Sequence, residues 1–189
     1  MISPSNIYVA LMHSPVYNKS GAVVTTAITN LDLHDIARTS KTFDLGGYYV
    51  VNPMAAQREL AGRILAHWVT GFGSEYNPNR GEALGLVKVV PDIADVVEGI
   101  QARHGAAPRV VATAAKLKSG AVDYGKMRGM MEEGGPFVLA FGTGWGLTDE
   151  FVSTCDCSLL PIEGRGGYNH LPVRAAVAII LDRLLGDRA

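Results

Sequence analysis

The chain has 189 residues, 48% hydrophobic and 19% charged, with 17 basic side chains against 18 acidic ones. That composition excludes a disordered or solvating chain. The net charge of −1 excludes a surface devoted wholly to gripping phosphate backbones, so any nucleic-acid contact must be local.

The length suits one domain, residues 1–189, with a single sizeable core. The opening MISPSNIYVALMHSP has no basic start, and His13 breaks its apolar stretch, so it does not read as a signal peptide. The longest apolar run, AAVAIIL at 175–181, is too short to span a bilayer. A cytoplasmic protein without membrane contact is expected.

In chain order, IYVALMH (7–13) reads as a strand, NKSG (18–21) as a turn and AVVTTAI (22–28) as a second extended piece. Thr29 and Asp32 have capping-box spacing, and Leu33, Ile36, Ala37 and Phe43 then fall on one helical face. YYVV (48–51) is the next strand. Asn52 and Pro53 are placed to begin a long helix with Leu60, Ile64, Leu65 and Trp68 as its buried stripe. The polar stretch GSEYNPNRGE (73–82) reads as an exposed loop on which Tyr76, Asn77, Asn79 and Arg80 either contact an RNA base or are merely solvated.

LVKVV (86–90) and RVVATA (109–114) predict short buried strands flanking a helix with Ile93, Val96, Val97 and Ile100 as its apolar face. Residues 116–131 have helical composition, but Gly120, Gly125 and Gly129 each cost about 1 kcal/mol in a helix interior, so mobility is expected there. FVLAF (137–141) and LLPI (159–162) predict two more strands. The last helix, from about Leu171 to Leu185, is apolar nearly all round except at Arg174, Asp182 and Arg183, which suggests a dimer interface. Strands alternating with helices predict one α/β domain with a mostly parallel sheet and helices on both faces.

Cys155 and Cys157 are the only cysteines; an i, i+2 pair suits neither a relaxed disulfide nor a complete zinc site, and buried thiols in a short strand are expected. His13, His34, His67 and His104 have no metal-ligand spacing, so no metal is expected.

Two stretches carry the chemistry. FVLAFGTGWGLTDEF (137–151) runs from a strand into Gly142, Gly144 and Gly146, then into Thr148 or Asp149 as a helix cap. The glycines alternate, unlike G-x-G-x-x-G, and no Gly-Lys-Ser/Thr follows, so a nicotinamide site of ordinary doubly wound topology and a P-loop are both disfavoured. The loop is either a generous turn or a slot where bare backbone approaches a flat ligand. A second Gly-rich loop, PIEGRGGYNH (161–170), also follows a short apolar strand, and two such loops at one carboxyl edge of a parallel sheet form a ligand crevice. Trp145 either covers that crevice or fills core space, the latter being the simpler expectation.

FGTGWGL followed by LLPIEGRGGYNHLPVRAAVAIILDRLL resembles the carboxyl-terminal motifs of the SPOUT, or α/β-knot, superfamily of S-adenosylmethionine-dependent RNA methyltransferases. DLHDIARTSKTFDLGGYYVV (32–51) is similar to its first motif, and the likeness is strongest to a stand-alone group predicted to be RNA methyltransferases. The resemblance implies a C-terminal deep trefoil knot, a homodimer formed through the knot and last helix, an RNA substrate (tRNA or rRNA), and methyl transfer to a ribose hydroxyl or base nitrogen. It also implies S-adenosylmethionine held by Thr113 and Ala114, by Gly142, Thr143, Gly144, Gly146 and Leu147, and by Leu160, Ile162, Gly164, Tyr168, His170 and Leu171. Arg38 matches the active-site arginine of ribose methyltransferases; the alternative is a surface ion pair with Asp35. Asn169 and His170 are the other catalytic candidates, with turn formation and helix capping as their alternatives. Asp32 stands where the ribose-methylating enzymes carry asparagine, and Tyr168, Asn169 and His170 replace their Ser-Leu-Asn, leaving a non-catalytic binding protein of the same fold as the competing reading.

Overall fold

Alternating side chains along the strands give the sheet two apolar faces, and helices cover both. The computed structural model describes residues 1–116, 120–166 and 168–186. Its strands are β1 (Ile7–Met12), β2 (Val16–Tyr17), β3 (Val23–Val24), β4 (Gly47–Val51), β5 (Val87–Val90), β6 (Arg109–Ala112), β7 (Ala121–Val122), β8 (Phe137–Gly142) and β9 (Cys157–Leu159). Its helices are α1 (Asn30–Thr42), α2 (Ala55–Val69), α3 (Phe72–Tyr76), α4 (Pro78–Leu84), α5 (Ile93–His104), α6 (Tyr124–Glu132), α7 (Asp149–Thr154) and α8 (Val173–Leu185).

Seven strands form one sheet in the order β5-β4-β1-β8-β6-β9-β7, every neighbouring pair parallel. β2 and β3 form a separate antiparallel hairpin. Ile7, Val9 and Leu11 of β1 join Phe137, Leu139 and Phe141 of β8 on the face covered by α1, α4, α6 and α8. Tyr8, Ala10 and Met12 join Val138 and Ala140 on the opposite face, under Val96 and Ile100 of α5 and Phe151 of α7. Each large aliphatic or phenyl side chain among these contributes about 1.5–3 kcal/mol by leaving water.

Local signals fix the helix ends. Thr29 caps α1 by accepting the Asp32 N–H, while its own hydroxyl donates to the Asp32 carboxylate at 2.6 Å. Asp92 and Asp95 form a complete capping box at α5, and Gly105 at φ 71° ends it.

Several sequence expectations need correcting. Residues 73–82 are not a loop: Asn77 accepts the Arg80 N–H and Pro78 opens α4, so cap and proline start a helix here. Gly73 and Gly81 permit this by close packing, since a Cβ at either would stand 2.7 Å from Trp68 atoms. Asn52 does not cap α2; its Oδ1 accepts the Met54 N–H and the helix starts at Ala55. Leu60 is exposed and Ile64, Leu65 and Trp68 are half-buried, leaving Ala61 as the buried contact of α2. The extended piece at 22–28 shrinks to β3, the strand expected at 159–162 lies at 157–159, and α8 begins two residues after Leu171. β5 is a half-buried edge strand, as only one side has a neighbour. In 116–131, α6 starts at Tyr124 under an Asp123 cap, and residues 117–119 lie outside the described ones. Cys155 and Cys157 are free, half-buried thiols, and only Cys157 belongs to a strand. Burial pushes the Cys155 thiol up to about 11, so neither reactivity nor metal binding is favoured there.

Candidate functional site

Because β6, β8 and β9 are adjacent and parallel, the segments leaving their carboxyl ends emerge together. These are residues 113–116, 143–148 and 160–172. Thr113 is buried, its N–H and hydroxyl both donating to Ala140 O at 3.0 and 2.9 Å. Ala114 is half-buried beside it. The Asn169 amide donates to Ala115 O at 2.8 Å, tying the third segment to the first. Leu160 is tied by its N–H to Val122 O at 2.9 Å, and Ile162 packs on the core.

The middle segment is a tight reversal. Gly144 and Gly146 sit at φ 58° and 98°, conformations glycine adopts without strain, and Thr148 caps α7. Leu147 is a core residue and the Thr143 hydroxyl bonds inward to Met12 O, so these two residues face a ligand only through main chain.

Trp145 corrects the core expectation: it is 59% exposed. Its ring lies edge-on to His170, centroids 6.3 Å apart, and His170 in turn contacts Tyr168 at 5.4 Å. Tyr168 is 77% exposed and Leu171 is also on the surface, so the second and third loops present a shared aromatic rim. Gly164 lies exposed within the third loop.

These residues suit an S-adenosyl group. Among the described residues, no backbone amide from Ile162 to Leu171 donates to a backbone carbonyl. A Cβ on Gly146 would meet nothing within 4 Å, which leaves backbone open to a flat ring. Adenine is read well by such N–H and C=O groups beside aromatic surface. The described residues hold no group of three His, Cys, Asp or Glu side chains that could bind a metal.

Arg38 is joined to the loops by no contact among the described residues. It is exposed on α1, in a groove with Asp35, Thr39, Thr42, Phe43 and Ala178 of α8. The expected pair with Asp35 is absent: Arg174 takes Asp35 at 3.3 Å and Asp32 at 3.6 Å, leaving Arg38 without an ion pair among the described residues. Among the described residues, no contact within one chain joins Arg38 to the other catalytic candidates, Asn169 and His170.

Sequence reasoning passed over His13. It is fully buried at the end of β1, with Nδ1 2.9 Å from the Thr26 hydroxyl and Nε2 without a partner. Burial lowers its pKa from 6.5 to about 4, a nearby Asp32 opposing the shift only in part. The unfolded chain takes this proton near pH 6.5 and the native chain only near 4, so His13 removes stability as pH falls through that window. The stability lost between pH 7 and 4 is expected to be larger, by up to about 3 kcal/mol, in the parent than in His13→Asn, measured by denaturant unfolding. Equal losses in the two proteins would refute this.

A family described as SAM-dependent RNA methyltransferase matches residues 6–186. The chain belongs to this family. A tRNA (guanine-N(1)-)-methyltransferase of Nitratidesulfovibrio vulgaris is 50% identical over 182 residues, which are 96% of this chain but 42% of that protein. The chain thus spans about two-fifths of that relative's length. A protein of Aquifex aeolicus is 38% identical over 180 residues, 95% of this chain and 88% of its own. The fold is similar to that of the SpoU methyltransferase AviRb from Streptomyces viridochromogenes in complex with AdoMet, with TM-score 0.58, 17% identity, and 98% of this chain and 58% of that one covered. The SAM-dependent RNA methyltransferase implied by the resemblance of the three motifs is thus borne out at the level of the family and its parallel α/β fold.

Proposed function

We propose that this chain transfers a methyl group from S-adenosylmethionine to a tRNA, acting as a homodimer. The observation that carries the reading is the convergence of three loops, two of them Gly-rich, at the carboxyl ends of β6, β8 and β9 in a chain of this family. When bound, the donor supplies an electrophilic methyl on a sulfonium. The chain's task is then to orient the two reactants and exclude water. The main chain of Gly142, Thr143, Gly144, Gly146 and Leu147 holds one side of the donor. Thr113, Ala114, Leu160, Ile162, Gly164, Tyr168, His170 and Leu171 hold the other, and Trp145 closes the rim.

Arg38 is the cation that orients the acceptor and stabilises charge developing on it. Because no contact joins Arg38 to the loops of its own chain, the reading places one protomer's Arg38 against its partner's loops, with Asn169 and His170 beside it. The apolar α8 and the adjoining α1 supply the surface for that dimer. A trefoil knot is supported by the position of β9 between β6 and β7, and by the Asn169 tie to Ala115 in the segment joining those two strands. The name of the Nitratidesulfovibrio relative, a tRNA (guanine-N(1)-)-methyltransferase of which the match spans 42%, favours tRNA as the substrate and the cytoplasm as the compartment. No described helix is long and apolar enough to cross a membrane.

Labelled methyl transfer from S-adenosylmethionine to separated RNA fractions tests the reading. Label is expected in tRNA, and nucleoside analysis then identifies the acceptor atom. Donor binding without transfer to any RNA would support the non-catalytic alternative instead.

A further inference from the structure

The hairpin of β2 and β3 lies outside the main sheet, yet the middle glycine loop is built onto it. The Trp145 N–H donates to Tyr17 O and the Tyr17 N–H to Gly146 O, both at 2.9 Å. Val16 pairs with Leu147 in an antiparallel bridge, and the Thr148 N–H donates to Pro15 O at 3.4 Å. The Asp149 N–H donates to the Tyr17 hydroxyl at 3.2 Å. Residues 145–148 thus run antiparallel along β2, joined to it by these hydrogen bonds and one isolated bridge. Gly144 allows the approach, since a Cβ there would stand 2.9 Å from Tyr17 O. Among the described residues, this pairing leaves the Gly144 N–H and the Trp145 C=O without a backbone partner.

The hairpin's return end is anchored at Thr26. Its N–H donates to His13 O at 2.9 Å and its carbonyl accepts from Asn52 Nδ2 at 3.0 Å. Its hydroxyl lies 2.5 Å from the Thr143 hydroxyl and 2.9 Å from His13 Nδ1. Counting protons over the three shorter contacts gives this chain a direction. A carbonyl only accepts, so Thr143 donates its one hydroxyl proton to Met12 O at 3.1 Å. Thr26 must then donate to Thr143, and His13 Nδ1–H must donate to Thr26. The order His13 to Thr26 to Thr143 to Met12 satisfies the contacts of 2.9, 2.5 and 3.1 Å, in preference to the longer 3.5 Å approach of the Thr26 hydroxyl to His13 O, and joins the ends of β1 and β8 through the hairpin.

We infer that the β2–β3 hairpin is a clasp that sets the shape of the methyl-donor loop, and that Thr26, with His13 behind it, is a positioning residue locking the clasp to Thr143. The inference rests on the donor-site reading above. The clasp decides which main-chain groups of residues 143–148 remain to hold a nucleoside, so slackening it loosens the donor without touching the acceptor.

Thr26→Val keeps the side chain's shape and leaves both His13 Nδ1–H and the Thr143 oxygen unpaired. Calorimetry with S-adenosylhomocysteine is expected to give a dissociation constant raised about tenfold, restored by Thr26→Ser to within about twofold of the parent. KM for the donor should rise in parallel, with kcat at saturating donor and KM for RNA nearly unchanged, a split that general loss of stability does not produce. Tyr17→Phe, which removes only the hydroxyl facing Asp149, is expected to weaken the donor about threefold and serves should Thr26→Val fold poorly. Parental affinity in Thr26→Val, or in Tyr17→Phe where that variant stands in, overturns the clasp. Gly142→Ala keeps the two readings apart: if it loses donor affinity while the clasp variants do not, only the clasp fails; if it too binds like the parent, the donor site itself is elsewhere.

Discussion

Arg38→Ala is expected to lower the rate of methyl transfer by about a hundredfold while leaving the dissociation constant for S-adenosylhomocysteine within about twofold of the parent. The guanidinium of Arg38 is not tied up in ion pairs with the described residues. Asp35, its i, i+3 neighbour, is held by Arg174, as is Asp32, and no described residue pairs with Arg38. An exposed, unpaired arginine adds little to stability, so the variant should unfold within about 0.5 kcal/mol of the parent. A large loss of activity in a protein of unchanged stability and donor affinity then locates Arg38 at the acceptor. Arg38→Lys should recover only part of the rate, because a point charge lacks the planar fork that orients phosphate or a carbonyl. Parental kcat/KM in Arg38→Ala would remove Arg38 from the mechanism.

Gly142→Ala is expected to weaken donor binding at least about a hundredfold. A Cβ at this position would lie 2.6 Å from the Leu147 nitrogen and 2.9 Å from the Gly146 carbonyl carbon. Both are backbone atoms of the same loop, so neither can rotate aside as a side-chain tip could. Residues 146 and 147 must move outward, and the main-chain pattern facing the nucleoside moves with them. The stability cost is expected to be about 1–3 kcal/mol, which leaves the protein foldable. Gly62→Ala is the matched control: it lies on α2, far from the loops, and its new Cβ meets nothing within 4 Å. It should leave donor binding unchanged and stabilise the helix by up to about 1 kcal/mol. Unaltered affinity in Gly142→Ala would refute the assignment of residues 142–147 to the donor.

Much of this arrangement is legible from residue patterns because it is local. The strands that bracket the glycine loops, the Thr29 cap and the apolar faces of α1 and α5 all rest on spacings of two to four residues. The glycines at 144 and 146 announce positive φ in the same way. What escaped depends on partners far apart in sequence. Thr26 and Thr143 meet across 117 residues, and nothing near either of them signals the contact. His13 resembles an interruption of an apolar run until burial and the Thr26 hydroxyl give it a place. The segment 73–82 reads as polar loop because its helices are short and held by packing: Arg80 lies 4.7 Å from the Trp68 ring centroid, and Gly73 and Gly81 admit that ring and its backbone. Trp145 goes the other way, since a large aromatic between glycines suggests a core anchor until its ring is found beside His170 at the surface.

A subunit-complementation assay tests most directly whether the donor loops of one protomer and the Arg38 of the other make a single active site. Arg38→Ala and Gly142→Ala chains carrying different tags are coexpressed, and dimers holding one of each are purified through both tags. If the site is shared, one of the two sites in each mixed dimer has an intact loop and an intact arginine, and methyl transfer should return to about half the parental rate. If mixed dimers stay as inactive as either variant alone, or if the two chains do not associate, the shared site is contradicted.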